Sequence, residues 1–252
     1  MKNTSVALGA ALLAANALAY RPFDGTDAAV AGHGEFELEA GVGRARIGAV
    51  DTRALPALVF NYGLFDDTEI VLEGQRDHQA GASDDEPRNS LADPSLSMKH
   101  VWRRGSLQDG AGPSVATECA VLLPEGHGGS RTGGECAAIV SNRGDAGALH
   151  LNLGIGRTRE SETARSLGLV AEGPGTWVVR PVAELLAERG TGRGGLLDSA
   201  LVGAIWQRGE DLAFDLAFRR ARTSDGRLDE VRLGLTWSFA VKAPSGAPSV
   251  SE

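Results

Sequence analysis

Val231-Arg232-Leu233-Gly234-Leu235-Thr236-Trp237-Ser238-Phe239 alternates apolar residues with small or polar ones along its whole length. A helix would scatter the apolar groups around its cylinder, whereas a strand sets them all on one face. The segment therefore reads as a β-strand with one apolar and one polar face. The same period returns upstream. Leu212, Phe214, Leu216 and Phe218 alternate with Ala213, Asp215, Ala217 and Arg219, and Leu149, Leu151, Leu153 and Ile155 with His150, Asn152, Gly154 and Gly156. Glu35-Phe36-Glu37-Leu38-Glu39-Ala40-Gly41-Val42 opens the series with acids or glycine between apolar residues.

Weaker versions of the pattern lie near 54–64, 68–76, 94–103, 113–122, 134–142, 164–172, 176–188 and 196–207. Residues 182–188 also suit a helix by propensity, but the β-rich Trp177-Val178-Val179-Arg180 before them favours a strand. Together these segments predict about twelve strands, an even number of the kind that single-chain bacterial barrels use. Short connections (Asp66-Asp67, Asn142-Arg143-Gly144-Asp145, Gly173-Pro174-Gly175, Gly209-Glu210) alternate with longer polar ones at 77–93, 126–134 and 157–163. That is the arrangement of an outer-membrane barrel, with turns on the periplasmic side and loops outside. One connection breaks it: 104–112 is long where a short turn is due.

The fold expected is all-β, a single antiparallel transmembrane β-barrel of about twelve strands. A soluble two-sheet sandwich alternates too. The two differ in where the charges go. In a barrel Glu73, Lys99, His150, Asn152, Arg180, Glu184, Asp215 and Arg219 face a lumen and set its selectivity, while lipid takes the apolar face. Trp102, Trp177, Trp206, Trp237 and Phe239 stand near strand ends, where an interfacial aromatic girdle belongs.

The N-terminus supports export. Lys2, the Ala/Leu-rich run 6–15 and Ala17-Leu18-Ala19 have the layout of a secretory signal peptide over 1–19, leaving Tyr20 as the mature start. Residues 20–33 are polar and aperiodic and read as a periplasmic N-terminal segment that plugs the lumen from that side. The barrel occupies 34–240, and the Pro/Ser-rich 241–252 reads as a disordered C-terminal tail. Cys119 and Cys136 suit an oxidising compartment and flank one loop, which leaves open a disulfide or two free thiols. A net charge of -8 argues against a nucleic-acid partner, which needs clustered Lys and Arg.

The mature start, Arg21-Pro22-Phe23-Asp24-Gly25-Thr26-Asp27-Ala28 followed by Gly34-Glu35-Phe36-Glu37-Leu38-Glu39, resembles the opening of the outer-membrane proteins named for the MetA pathway of phenol degradation. Asn61-Tyr62-Gly63-Leu64-Phe65-Asp66 is similar to their Tyr-Gly-Leu-Thr-Asp turn, Leu122-Leu123-Pro124-Glu125-Gly126 to their Leu-Pro-Thr-Gly, and Leu233–Phe239 to their closing strand. The resemblance implies an outer-membrane barrel of a Gram-negative bacterium that passes small, often aromatic or hydrophobic compounds. Its partners would be outer-membrane lipid and lipopolysaccharide, the barrel-assembly machinery and a small-molecule solute. The chain departs from the family in continuing beyond Phe239, which bears on the terminal aromatic as an assembly signal, and in its cysteine pair.

Two other function classes stand beside a channel. One is a non-transporting structural or binding barrel with a plugged lumen, since about twelve strands enclose only a narrow interior. The other is an outer-membrane hydrolase. A serine nucleophile needs a histidine base and a third orienting group. His150-Leu151-Asn152 is similar to the His-x-Ser pair of outer-membrane phospholipase A, but Asn152 stands where the nucleophile belongs, so no enzyme activity is expected. His78, with Asp77, Asp84, Asp85 and Glu86, and His127 fall in loops without a converging ligand set, so no metal site is expected. No P-loop, Rossmann glycine pattern or zinc spacing appears, and no cofactor is expected.

Overall fold

The computed structural model describes residues 21–48, 50–80, 89–126, 131–191 and 195–240. The expected signal peptide with Tyr20, loop residues Asp84, Asp85, Glu86 and His127, and the tail 241–252 lie outside the described residues. Twelve strands follow one another: β1 (Glu35–Ile47), β2 (Val50–Phe65), β3 (Thr68–Ala80), β4 (Asn89–Arg103), β5 (Ser114–Leu122), β6 (Gly133–Gly144), β7 (Gly147–Arg157), β8 (Thr163–Glu172), β9 (Val179–Gly190), β10 (Leu196–Gln207), β11 (Leu212–Thr223) and β12 (Gly226–Ala240). Each pairs antiparallel with its neighbours in sequence, and β1 closes on β12 from Glu35↔Ala240 to Ile47↔Leu228. Closure pairs the strand edges, as hydrocarbon demands of any spanning sheet. Residues 182–188 are strand, within β9.

Several strands run past the alternating segments that announce them. The 77–93 stretch, which reads as the longest loop, is strand through Ala80 and again from Asn89, in register as Asp77↔Ser90 and His78↔Asn89. Polar residues there carry no period-two signal, yet each strand's backbone groups still find partners on its neighbour.

The alternation sorts the side chains as a barrel requires, and the sandwich alternative falls away. Large apolar residues are the exposed ones: Leu72, Met98, Leu153, Leu185, Val202, Leu216 and Leu233 each show about half their surface or more to the outside. Glu39, Glu69, Lys99, Glu118, Glu184, Asp215 and Arg219 are buried inside. Bulges gather in the first strands, at Gly41/Gly43 in β1, Ala54/Ala57 and Gly63/Phe65 in β2, and Glu73/Gln75 in β3.

The two ends of the barrel differ. One, the terminal end, holds the start of β1, the end of β12 and the connections 66–67, 104–113, 145–146, 173–178 and 208–211. The other, the loop end, holds the remaining connections. Trp102, Trp177, Trp206, Trp237 and Phe239 all stand at the terminal end, with Phe36, Phe60, Tyr62 and Phe214 beside them. Phe36 links three neighbours, with centroids 5.1 Å from Phe60, 4.5 Å from Tyr62 and 5.7 Å from Phe239. The aromatic rows thus mark one rim.

The sulfurs of Cys119 and Cys136 are bonded, and the two residues sit directly opposite each other on β5 and β6. Both face outward from the barrel.

Candidate functional site

The lumen is occupied by the chain itself. Residues 21–33, read from sequence as a periplasmic segment that plugs the lumen from that side, lie inside the barrel in its terminal half. Their contacts follow the wall around almost a full turn. At the start, Gly34 donates its amide to Gly63 O of β2 (2.9 Å), and a side chain at Gly63 would collide with the backbone of Ala31 and Gly32. The Ala31 amide donates to Glu69 of β3 (2.7 Å) and the Ala28 amide to Ser141 Oγ of β6 (2.9 Å). On β7, Asn152 accepts from the Thr26 amide (3.1 Å) and donates to Thr26 O (2.9 Å), reproducing a backbone pairing with a side chain. On β9, Glu184 accepts both the Asp24 amide (2.9 Å) and the Gly25 amide (2.6 Å).

Two ion clusters fix the innermost part. Asp24 meets Arg219 of β11 (3.0 Å) and Arg232 of β12 (2.6 Å), and Arg232 also donates to Pro22 O (2.9 Å). Burial alone would push the Asp24 carboxyl up, but Arg219 and Arg232 hold it below the usual carboxylate range. Arg21 closes the circuit: its amide donates to Glu39 of β1 (2.9 Å), and its guanidinium pairs with Asp215 (3.3 Å) and donates to Leu233 O (2.9 Å). Gly41 and Gly234, opposite each other in β1 and β12, make the seat for that guanidinium, since a Cβ at either would collide with it. Phe23, 1 % exposed, supplies the apolar anchor among Val170, Val182, Leu201, Ile205 and Ala217.

The long connection that breaks the turn pattern belongs to this assembly. It forms a short 3-10 helix (Ser106–Gln108) that tucks under the barrel. Gln108 Nε2 donates to Ala28 O (2.8 Å), and Leu107 packs on the cluster of Ala28, Val101, Ala116, Ala137 and Ile139.

All eight lumen residues singled out from sequence lie on the inner face. Lys99, Asn152, Glu184, Asp215 and Arg219 touch the segment directly; Lys99 donates to Thr26 Oγ1 (2.9 Å) and pairs with Glu69 (3.1 Å). His150 and Arg180 act at one remove: His150 bonds Ser141 (2.8 Å) and Glu172 (3.1 Å), and Arg180 pairs with Glu172 (3.7 Å). Glu73 lies beyond the segment, bonded by Ser95 (3.0 Å). Sequence reading passed over Glu39, Glu69, Gln108, Ser141 and Arg232. Ser141 is directly opposite His150 in the β6–β7 register, so His150 does have a serine and a carboxylate at hand. That serine is fully buried and its Oγ is taken by the Ala28 amide, so here the trio anchors the segment.

Toward the loop end the lumen keeps a cavity of about 170 Å³, bounded below by Pro22, Phe23 and Asp24 and lined by Ala45, Val59, Glu73, Asp77, Asp93 and Glu230. It lies against the bulged wall of β1–β3. Above it, Arg159 of the 158–162 connection is 2 % exposed and ties loops together, donating to Leu123 O (2.7 Å) and Pro94 O (3.0 Å) and lying 3.4 Å from Glu125. Among the described residues no group of His, Cys, Asp and Glu is arranged to hold a metal ion.

No protein-family model and no curated protein sequence matches the chain. Solved structures do match in fold. An outer-membrane channel from Pseudomonas putida F1, described as COG4313, aligns with a TM-score of 0.60 at 11 % identity, over 86 % of this chain and 98 % of its own. The NanC porin gives 0.59 at 6 % identity over 79 % and 98 %, and the KdgM porin, solved in complex with disordered oligogalacturonate, 0.58 at 12 % over 81 % and 99 %. At these identities the likeness defines the class by fold alone: a closed twelve-stranded antiparallel barrel, as in outer-membrane porins and channels.

Proposed function

We propose that this protein is an outer-membrane channel of a Gram-negative bacterium for small solutes, closed in the present state by its own N-terminal segment. The observation that carries the reading is the chemistry of the closure. The segment is held by hydrogen bonds and ion pairs at amide and side-chain atoms, with one aromatic anchor, and such contacts exchange with water when it withdraws. The outward apolar band and the porin-like fold support the location.

The cavity above the segment mixes Phe23, Pro22, Ala45 and Val59 with carboxylates. That mixture, with the motifs shared with the phenol-degradation barrels, supports aromatic or hydrophobic small molecules as solutes. Acids dominate the outer half of the lumen. Glu73, Asp77 and Asp93 line the cavity, which favours the entry of cations and neutral solutes over anions.

The second reading is a permanently plugged barrel, favoured by the number of contacts around Asp24 and Arg21. Planar-bilayer recordings of the intact chain beside a variant lacking residues 22–32, with the export signal kept, separate the two: a channel opens spontaneously toward the level of the deletion variant, and a permanently plugged barrel never opens. A channel whose plug has been removed shows a severalfold rise in single-channel conductance in planar bilayers. Unchanged conductance, in a variant that keeps its heat-dependent gel mobility, would sink the channel reading.

A further inference from the structure

The terminal rim is aromatic on its outer face, and the loop rim is basic. Arg44 and Arg46 of β1, Arg53 of β2, Arg220 and Arg222 of β11 and Arg227 of β12 all point outward near the loop end, on four adjacent strands. The register sets them side by side, Arg44↔Arg53 and Arg222↔Arg227, with Arg46 between Asp51 and Asp229. Two carboxylates serve the group: Asp51 lies 3.5 Å from Arg46 and 3.7 Å from Arg53 and also pairs with Arg44, while Asp229 lies 2.6 Å from Arg220 and 3.7 Å from Arg227. The patch is left strongly positive, and the side chains of Arg44, Arg46, Arg53, Arg220 and Arg227 are more than half exposed.

These arginines sit low on the wall. On β11 the outward row reads Phe214, Leu216, Phe218, Arg220, Arg222, and Phe214 stands in the aromatic rim beside Trp206. Six residues of strand span roughly 20 Å, and a tilt of about 40° reduces that to roughly 15 Å of height, against an apolar band of about 25 Å in barrels of this kind. Arg220 therefore leaves the wall below the level where the lipid headgroups ordinarily begin. Its guanidinium lies 5.5 Å from the Phe218 ring centroid, on the apolar bed formed by Phe218, Val231, Leu233 and Val42. The wall of β4–β6 is different at the same end: its outward residues are Leu91, Leu96, Val121 and the Cys119–Cys136 pair.

We propose that the outer face of β11, β12, β1 and β2 at the loop end binds a phosphorylated glycolipid of the outer leaflet. Its phosphates take the arginine forks, and its acyl chains lie on the apolar bed beneath them. Phosphate, like carboxylate, matches the guanidinium fork, because two parallel N–H···O bonds form at once. An amphiphile alone fits both halves of the surface, a basic band directly above an apolar one. The proposal rests on the outer-membrane reading given above.

The test uses the purified full-length protein in detergent, with native mass spectrometry of bound lipid A carrying two phosphates, one or none. The wild type retains the bisphosphorylated form. The variant R44Q/R46Q/R220Q/R222Q loses at least about tenfold in affinity for it. The R104Q/R208Q variant, altered at the opposite rim, keeps it. Glycolipid without phosphate binds the wild type no better than the quadruple variant binds the phosphorylated form. Equal binding by wild type and quadruple variant, or equal binding with and without phosphate, overturns the site. Full displacement by inorganic phosphate at millimolar concentration overturns the lipid in favour of a free anion. Heat-dependent gel mobility shows whether the variant is folded; if it is not, the Arg→Lys quadruple replaces it, with a smaller loss expected. Membrane fractionation tests the location separately: a chain that binds the lipid in detergent but is found outside the outer membrane overturns the location and leaves the site standing.

Discussion

The two halves of the lumen are built on different terms. In the terminal half, wall groups are matched to individual atoms of residues 21–33: Glu184 to two successive amides, Asn152 to both sides of Thr26, Arg232 to Asp24 and Pro22 O. In the outer half, Glu73, Asp77 and Asp93 line open space. A wall fitted to amides recognises one segment of backbone in one register. A wall of carboxylates around a cavity sets only a charge preference and leaves room for whatever enters. On the channel reading proposed above, the terminal half is the closing device and the outer half the antechamber.

Deleting 22–32 removes this contrast altogether and has the largest expected effect. Among point changes, Arg232→Gln comes first. It strips Asp24 and Glu230 of a shared buried cation, and breaking such a pair costs roughly 3–5 kcal/mol. The expected result is frequent opening events in bilayer recordings, with the barrel intact by gel mobility. Gln108→Ala is milder, because one hydrogen bond to Ala28 O is worth about 1 kcal/mol. It should give brief openings, and a closed-state lifetime equal to that of the wild type would show that the 3-10 turn is no clamp. Glu188→Gln acts on the other half. It should leave opening unchanged and shift the reversal potential of the deletion variant by a few millivolts toward anions, since one carboxylate of several is lost. An effect on opening instead would mean that the two halves are not separate.

Much of the barrel could be read in advance because period-two alternation is a local property: each of Leu149–Ile155, Leu212–Phe218 and Val231–Phe239 declares its two faces without reference to any neighbour. The lumen residues followed from the same faces. What stayed hidden depends on register. Ser141 and His150 meet only because β6 and β7 pair at that step, and Glu39 and Arg232 look like any other inward polar residue until Arg21 is placed between them. Two clues were present in the sequence: glycines at 41 and 234 on the otherwise polar inward faces of their strands, which mark close approach, and the overlong connection 104–112, which departs from the turn pattern because it reaches inward.

The Cys119–Cys136 bond sets an order of events. Both sulfurs lie on the face that, in the proposed orientation, meets lipid, and the bond joins residues 17 apart across one hairpin. Thiol oxidation proceeds through a thiolate, a species at home in water and not in hydrocarbon. An oxidant working in the aqueous periplasm therefore meets these thiols before β5 and β6 enter the bilayer. On the outer-membrane reading, the hairpin would reach the membrane already stapled, one register decided while the other strands have yet to choose their partners.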